Sequence, residues 1–96
     1  MNNDALVLID GASSGIGKAT ALNLNALGAR IVAVGRNIEK LLHVKEECRF
    51  PDLFFCETKD IGENVASLPE WVRELVGKYG GFSGYVHAAG VLNPQP

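Results

Sequence analysis

Three glycines and two serines within seven residues are the chemistry-bearing stretch of this sequence. Gly11-Ala12-Ser13-Ser14-Gly15-Ile16-Gly17 follows the apolar run Leu6-Val7-Leu8-Ile9-Asp10 and leads into Lys18. Without a Cβ, glycine lets a turn take conformations closed to other residues and lets a ligand come up to the main chain. A helix opening from such a turn aims its free N–H groups and positive dipole end at that space, and the natural occupant is an anion, most often a phosphate. The pair Gly17-Lys18 invites comparison with the ATPase loop G-x-x-x-x-G-K-[ST]. Ala12 stands where that loop needs its first glycine, and Ala19 where a hydroxyl would hold magnesium, which argues against a nucleoside triphosphatase.

The elements that would position this turn follow from periodicity. Leu6 to Ile9 is short, apolar and β-branched, as in a strand; Ile16 to Leu27 has helical spacing and is followed by Gly28, a helix-terminating glycine. Ile31-Val32-Ala33-Val34 suits a strand buried on both faces of a parallel sheet. Asn37 can cap a second helix, with Glu39 in its first turn, closing near Phe50-Pro51. Leu53-Phe54-Phe55-Cys56 is a third strand, and Ser67-x-x-Glu70 is a capping box before Leu68, Trp71, Val72, Leu75, Val76 and Tyr79 at helical spacing. Tyr85-Val86-His87-Ala88-Ala89 reads as a fourth strand running into Gly90. Alternating strands and helices imply an α/β fold: a Rossmann-type three-layer arrangement with a parallel sheet of about four strands, in order 3-2-1-4. In such sheets ligands bind outside the carboxyl ends of the strands, where the strand order reverses, and the glycine turn lies there.

Ninety-six residues with 47% hydrophobic content fit one small domain. A net charge of -2 and scattered Lys and Arg leave no basic face for nucleic acid. Cys48 and Cys56 form no CxxC pair and are expected to be reduced thiols of a cytoplasmic protein; no membrane contact and no metal site are expected. The N-terminal apolar run is too short for a leader core or a membrane span.

The loop Asp10-Gly11-Ala12-Ser13-Ser14-Gly15-Ile16-Gly17 resembles the T-G-x-x-x-G-x-G cofactor loop of the classical short-chain dehydrogenases/reductases; the extended, epimerase-containing branch spaces its glycines differently. Two further stretches share the resemblance, so that it covers the whole chain. His87-Ala88-Ala89-Gly90 matches the family's N-N-A-G strand end, and Asp60-Ile61 matches an Asp at the end of strand three that faces an adenine ring. The resemblance implies that Gly11, Ser13, Ser14, Gly15, Ile16 and Gly17 surround a dinucleotide's phosphates and ribose, that Asp60 and Ile61 meet its adenine, and that Ala88, Ala89 and Gly90 keep a strand end small enough for ribose. The plainer alternatives are an ordinary strand–helix turn, a solvated loop at Asp60, and close packing at Ala88 to Gly90.

Arg36 bears on the choice of cofactor. It lies nineteen residues after Gly17, where NAD-selective folds place an acid for the ribose 2′-hydroxyl and where an Arg accommodates the 2′-phosphate of NADP. Gly35-Arg36-Asn37 holds no acid, and the guanidinium matches phosphate bidentately, so NADP(H) is favoured over NAD(H). Ser14 stands where NADP-dependent relatives often carry a second basic residue, and the alternative for Arg36 is a solvated loop charge.

Two positions depart from the family pattern. Asp10 replaces the usual Thr and brings a negative charge close to a pyrophosphate, which weakens binding unless the side chain turns away or is paired. His87 and Ala88 replace the two asparagines, and His87 reads as a structural histidine. The family's Tyr-x-x-x-Lys is not formed by Tyr79 or Tyr85. The expectation is therefore an N-terminal cofactor half, residues 1–96, of an NADP(H)-dependent carbonyl reductase similar to 3-oxoacyl-(acyl-carrier-protein) reductases, inactive by itself. Its parent would take a small carbonyl or alcohol substrate and form a homo-oligomer, and the fragment would self-associate through the open edge of strand four. A non-catalytic dinucleotide-binding or interaction domain is the competing reading.

Overall fold

The computed structural model describes residues 5–13, 15–58 and 68–88. Four strands, β1 (Leu6–Asp10), β2 (Arg30–Gly35), β3 (Phe54–Thr58) and β4 (Gly84–His87), alternate with the helices α1 (Gly15–Ala26), α2 (Ile38–Glu47) and α3 (Leu68–Tyr79). All neighbouring strands are parallel and lie in the order β3-β2-β1-β4, the order expected from the alternation of elements.

Alternation along the central strands builds the layers, because successive side chains point to opposite faces. Val7, Ile9, Ile31, Ala33 and Phe54 join Ala21 of α1 and Leu41 and Val44 of α2 in one core. Leu6, Leu8, Val32 and Val34 face the other way, against Leu75, with Trp71, Tyr79 and Phe82 at the margin. Both faces of β1 and β2 are thus covered, which is why these strands read as continuous apolar runs.

The helix ends follow their signals. At Gly28, φ is 95° and the N–H donates to the Asn25 carbonyl at 2.9 Å, which closes α1. The Asn37 carboxamide oxygen accepts from the amides of Glu39 (2.9 Å) and Lys40 (3.4 Å) and opens α2. Most boundaries fall within a residue of expectation, and the larger differences are at α2, β3 and β4. α2 ends at Glu47 rather than near Phe50-Pro51: Cys48 is extended, and the buried Asn25 carboxamide holds both backbone groups of Phe50 at 2.9 Å. Pro51–Leu53 forms a single 3-10 turn, which shifts β3 forward to Phe54–Thr58, paired from Ile31↔Phe54 to Gly35↔Thr58. β4 ends at His87, two residues before the expected end. Ser67 of the capping box lies outside the described residues.

Candidate cofactor site

Everything at the carboxyl end of the sheet hangs on how β1 gives way to α1. Gly11 (φ 77°) and Gly15 (φ 58°) both occupy the left-handed region that disfavours side chains. The chain thereby turns sharply enough for the amides of Gly11 and Ala12 to donate to the Val34 carbonyl at 2.9 and 3.1 Å, clamping the loop onto the end of β2. Gly17 has a different task. A Cβ built there would stand 2.1 Å from the Gly11 carbonyl oxygen and 3.0 Å from the Ala88 Cβ. Helix, loop and the residue after β4 meet at this point without room for one methyl group.

The first turn of α1 contains no acidic residue, so no side chain of that turn offsets its positive dipole end. Gly15 and Ile16 are exposed and Ser13 is half-buried. Ser13 leans toward β2, where a Cβ on Gly35 would lie 3.5 Å from its Oγ. Arg36 follows Gly35 directly and is exposed. The loop serine and the arginine thus come from separate elements to the same end of β2. This arrangement of open backbone amides, a hydroxyl and a guanidinium fits a phosphorylated ligand.

Of the residues singled out in the sequence, Gly11, Ser13, Gly15, Ile16, Gly17 and Arg36 lie around this end of the sheet. Ala88 is fully buried against Gly17, where its small size serves packing. Ser14, Asp60, Ile61, Ala89 and Gly90 lie outside the described residues. Among the described residues, no group of His, Cys, Asp or Glu is arranged to hold a metal ion.

The relationship not found in the sequence joins its two departures from the family pattern. Asp10 and His87 end their strands as register partners. The Asp10 side chain is 6% exposed, and its Oδ2 lies 2.5 Å from Nδ1 of the half-exposed His87. Oδ2 has no well-aligned hydrogen-bond donor, so the contact is a close approach rather than a linear hydrogen bond. The Tyr85 hydroxyl lies 3.2 Å from the same Nδ1. Burial, followed by the charge of Asp10 and a hydrogen bond to it, pushes the Tyr85 phenol above its ordinary pKa. Strand order made this pair accessible to inference, because order 3-2-1-4 places residues 10 and 87 side by side. By the alternation of β1, the Asp10 carboxylate shares the face of Leu6 and Leu8, opposite α1. On that face Leu8, Trp71, Val72, Phe82 and Tyr85 line an apolar hollow of about 300 Å³.

A parallel sheet with a glycine-rich crossing from β1 to α1, and an anion-receptive helix start at the reversal of strand order, defines a dinucleotide-binding α/β domain. The sequence model of the short chain dehydrogenases matches residues 5–96, and the chain belongs to that family of oxidoreductases, which use nicotinamide dinucleotides. It is 34% identical to the uncharacterized oxidoreductase YciK of Escherichia coli, over 94% of this chain and 37% of the relative. It is 30% identical to 3-ketodihydrosphingosine reductase of Bos taurus, over 91% of this chain and 28% of the relative. A short chain dehydrogenase structure from Bacillus anthracis superposes with a TM-score of 0.74 at 31% identity, over 86% of this chain and 34% of the other. The chain spans about a third of the length of these relatives. No helix among the described residues is long and apolar enough to cross a membrane.

Proposed function

We propose that this chain is the NADP(H)-binding part of a short-chain oxidoreductase that moves hydride between the nicotinamide ring and a small carbonyl or hydroxyl substrate, as in 3-oxoacyl-(acyl-carrier-protein) reductases. The observation that carries the reading is the approach of Ser13 to Gly35 at the end of β2, where the exposed Arg36 follows, beside an α1 start free of acidic side chains. The exposed amides at Gly15 and Ile16 would receive the pyrophosphate, Ser13 the adjoining ribose, and Arg36 the 2′-phosphate. The bound cofactor would supply the hydride; the residues of this chain hold and orient it. A small carbonyl or alcohol substrate, a homo-oligomeric parent and a cytoplasmic location complete the proposal, with self-association of the 96-residue chain through the edge of β4 tested by light scattering at high concentration.

Titration of the chain with NADPH and with NADH is the decisive measurement. NADPH should bind at least about tenfold more tightly, and Arg36→Ala should remove about that factor, since a hydrogen bond to a charged group contributes roughly 1.5–3 kcal/mol and tenfold corresponds to about 1.4 kcal/mol. NADH affinity should hardly change. Equal affinities for the two cofactors, or an Arg36→Ala variant that keeps its NADPH affinity, would refute the assignment. A second reading, a non-catalytic dinucleotide-binding domain, draws support from Asp10 and His87 standing in place of the family's Thr and Asn. A longer parent sequence lacking Tyr-x-x-x-Lys would favour it.

A further inference from the structure

A carboxylate at the mouth of a phosphate-binding loop ought to repel the ligand, yet Asp10 immediately precedes Gly11. Its side chain is almost wholly buried, and an ionised carboxylate in that state is tolerated only with a partner. Among the described residues, the charged or titratable groups that meet His87 are Asp10 from β1 and Tyr85 from its own strand. On the flanking helices, Lys18 of α1 pairs with Glu47 of α2, and Lys78 of α3 pairs with Glu57 of β3, each at 2.8 Å. His87 Nδ1 faces both Asp10 and Tyr85, and the ring is half-exposed.

We propose that His87, as its imidazolium, is the counter-ion of Asp10, and that this pair both fastens the edge strand β4 to β1 and cancels the negative charge at the entrance to the glycine loop, making His87 a positioning residue for dinucleotide binding. The cofactor part of the proposal rests on the reading of the loop given above; the pairing itself does not. The two unusual residues then form one compensated exchange. A neutral Thr beside a neutral Asn becomes an acid beside a base, with the net charge at the loop unchanged. The pairing also explains why β4 can close against β1 although its end lacks the amide that ties the corresponding strand in relatives.

The test is a two-residue cycle read in two ways, by urea unfolding and by NADPH titration, with His87→Gln, Asp10→Asn and the double variant in the 96-residue chain. His87→Gln leaves the buried carboxylate without its counter-charge, so it should lower the unfolding midpoint, and it should weaken NADPH binding about tenfold by exposing the ligand to an uncompensated charge. Asp10→Asn/His87→Gln should regain most of both losses, which a purely spatial role for His87 cannot produce. Additive single effects in the unfolding cycle would overturn the pairing. A coupled unfolding cycle with His87→Gln affinity equal to wild type would overturn only the electrostatic link to the cofactor. A wild-type chain that binds neither NADPH nor NADH would overturn the dinucleotide reading itself, while the unfolding cycle would still decide the pair.

Discussion

A Cβ at position 17 would lie 2.1 Å from the carbonyl oxygen of Gly11, closer than any non-bonded contact allows. That relationship makes the third glycine of the loop a packing requirement, since the obstructing atom is backbone and cannot rotate aside. Gly17→Ala must therefore push α1 off the loop or distort the turn at Gly11. Overpacking of this kind costs about 1–3 kcal/mol, and the upper part of that range is expected here because Ala88 blocks the other direction. Urea denaturation would measure the loss, and NADPH affinity should fall with it, because the α1 N-terminus is displaced from the site.

Asn25 supplies a second prediction. It is fully buried in α1, and its carboxamide donates to the Phe50 carbonyl and accepts from the Phe50 amide, both at 2.9 Å. Asn25→Ala would strand two backbone groups next to the core, with a cost of about 2–3 kcal/mol. The damage should be local to the junction of α2 and β3, visible as faster amide exchange around residues 48–54. An unfolding midpoint equal to wild type would show that water replaces the amide freely.

These two residues mark where the sequence was legible and where it was not. The parallel arrangement and the glycine turn follow from periodicity and glycine spacing, because those signals are local or depend only on element order, and the strand order comes with the Rossmann type of fold. Gly28 and Asn37 announce helix ends through their own backbone chemistry, and the structure uses both as expected. Asn25 gave no such signal: in an Ala- and Leu-rich helix a polar residue looks solvent-facing, and its partner lies 25 residues away. The end of α2 was misplaced for the same reason, since the capture of Phe50 by Asn25 is a tertiary event. Asp10 and His87 were each visible as departures, but their union depends on β4 lying beside β1.

The cysteines should be chemically quiet in the folded chain. Burial, then the neighbouring Cys56 thiol, raises the Cys48 thiol to about 11, and Glu47 adds to this against the opposing effect of Lys45. Burial also raises Cys56. Because the thiolate is the reactive form, Cys48 should be alkylated by iodoacetamide at pH 7.5 at least about a hundredfold more slowly than in urea. Mass-spectrometric counting of modified thiols over time would check this, and rapid native labelling of Cys48 would contradict the burial that produces the shift.

The last prediction concerns acid stability and comes from the opposite edge of the sheet. Glu57 on β3 accepts hydrogen bonds from Lys78 Nζ at 2.8 Å and from the Tyr79 hydroxyl, joining the edge strand to the end of α3. Burial alone would raise the Glu57 carboxyl, but the bonds from Lys78 and Tyr79, with the Lys78 charge, outweigh it and hold the pKa below its ordinary value. A depressed carboxyl stabilises the fold above its unfolded pKa, and that contribution disappears as pH falls through the folded value. Stability should therefore decline below about pH 4.5, and the part owed to this residue should be modest because its partner Lys78 is exposed. The ammonium of Lys78 and the phenol of Tyr79 are shifted upward, Lys78 first by the Glu57 hydrogen bond and Tyr79 first by burial. Their contribution is complete below their unfolded values and is lost as pH rises through the folded ones, at strongly alkaline pH. Glu57→Gln should flatten the acid limb of the stability curve and lower the plateau at neutral pH, as followed by thermal unfolding between pH 3 and 7; a variant with an acid limb as steep as that of the wild type would assign the effect to other carboxylates.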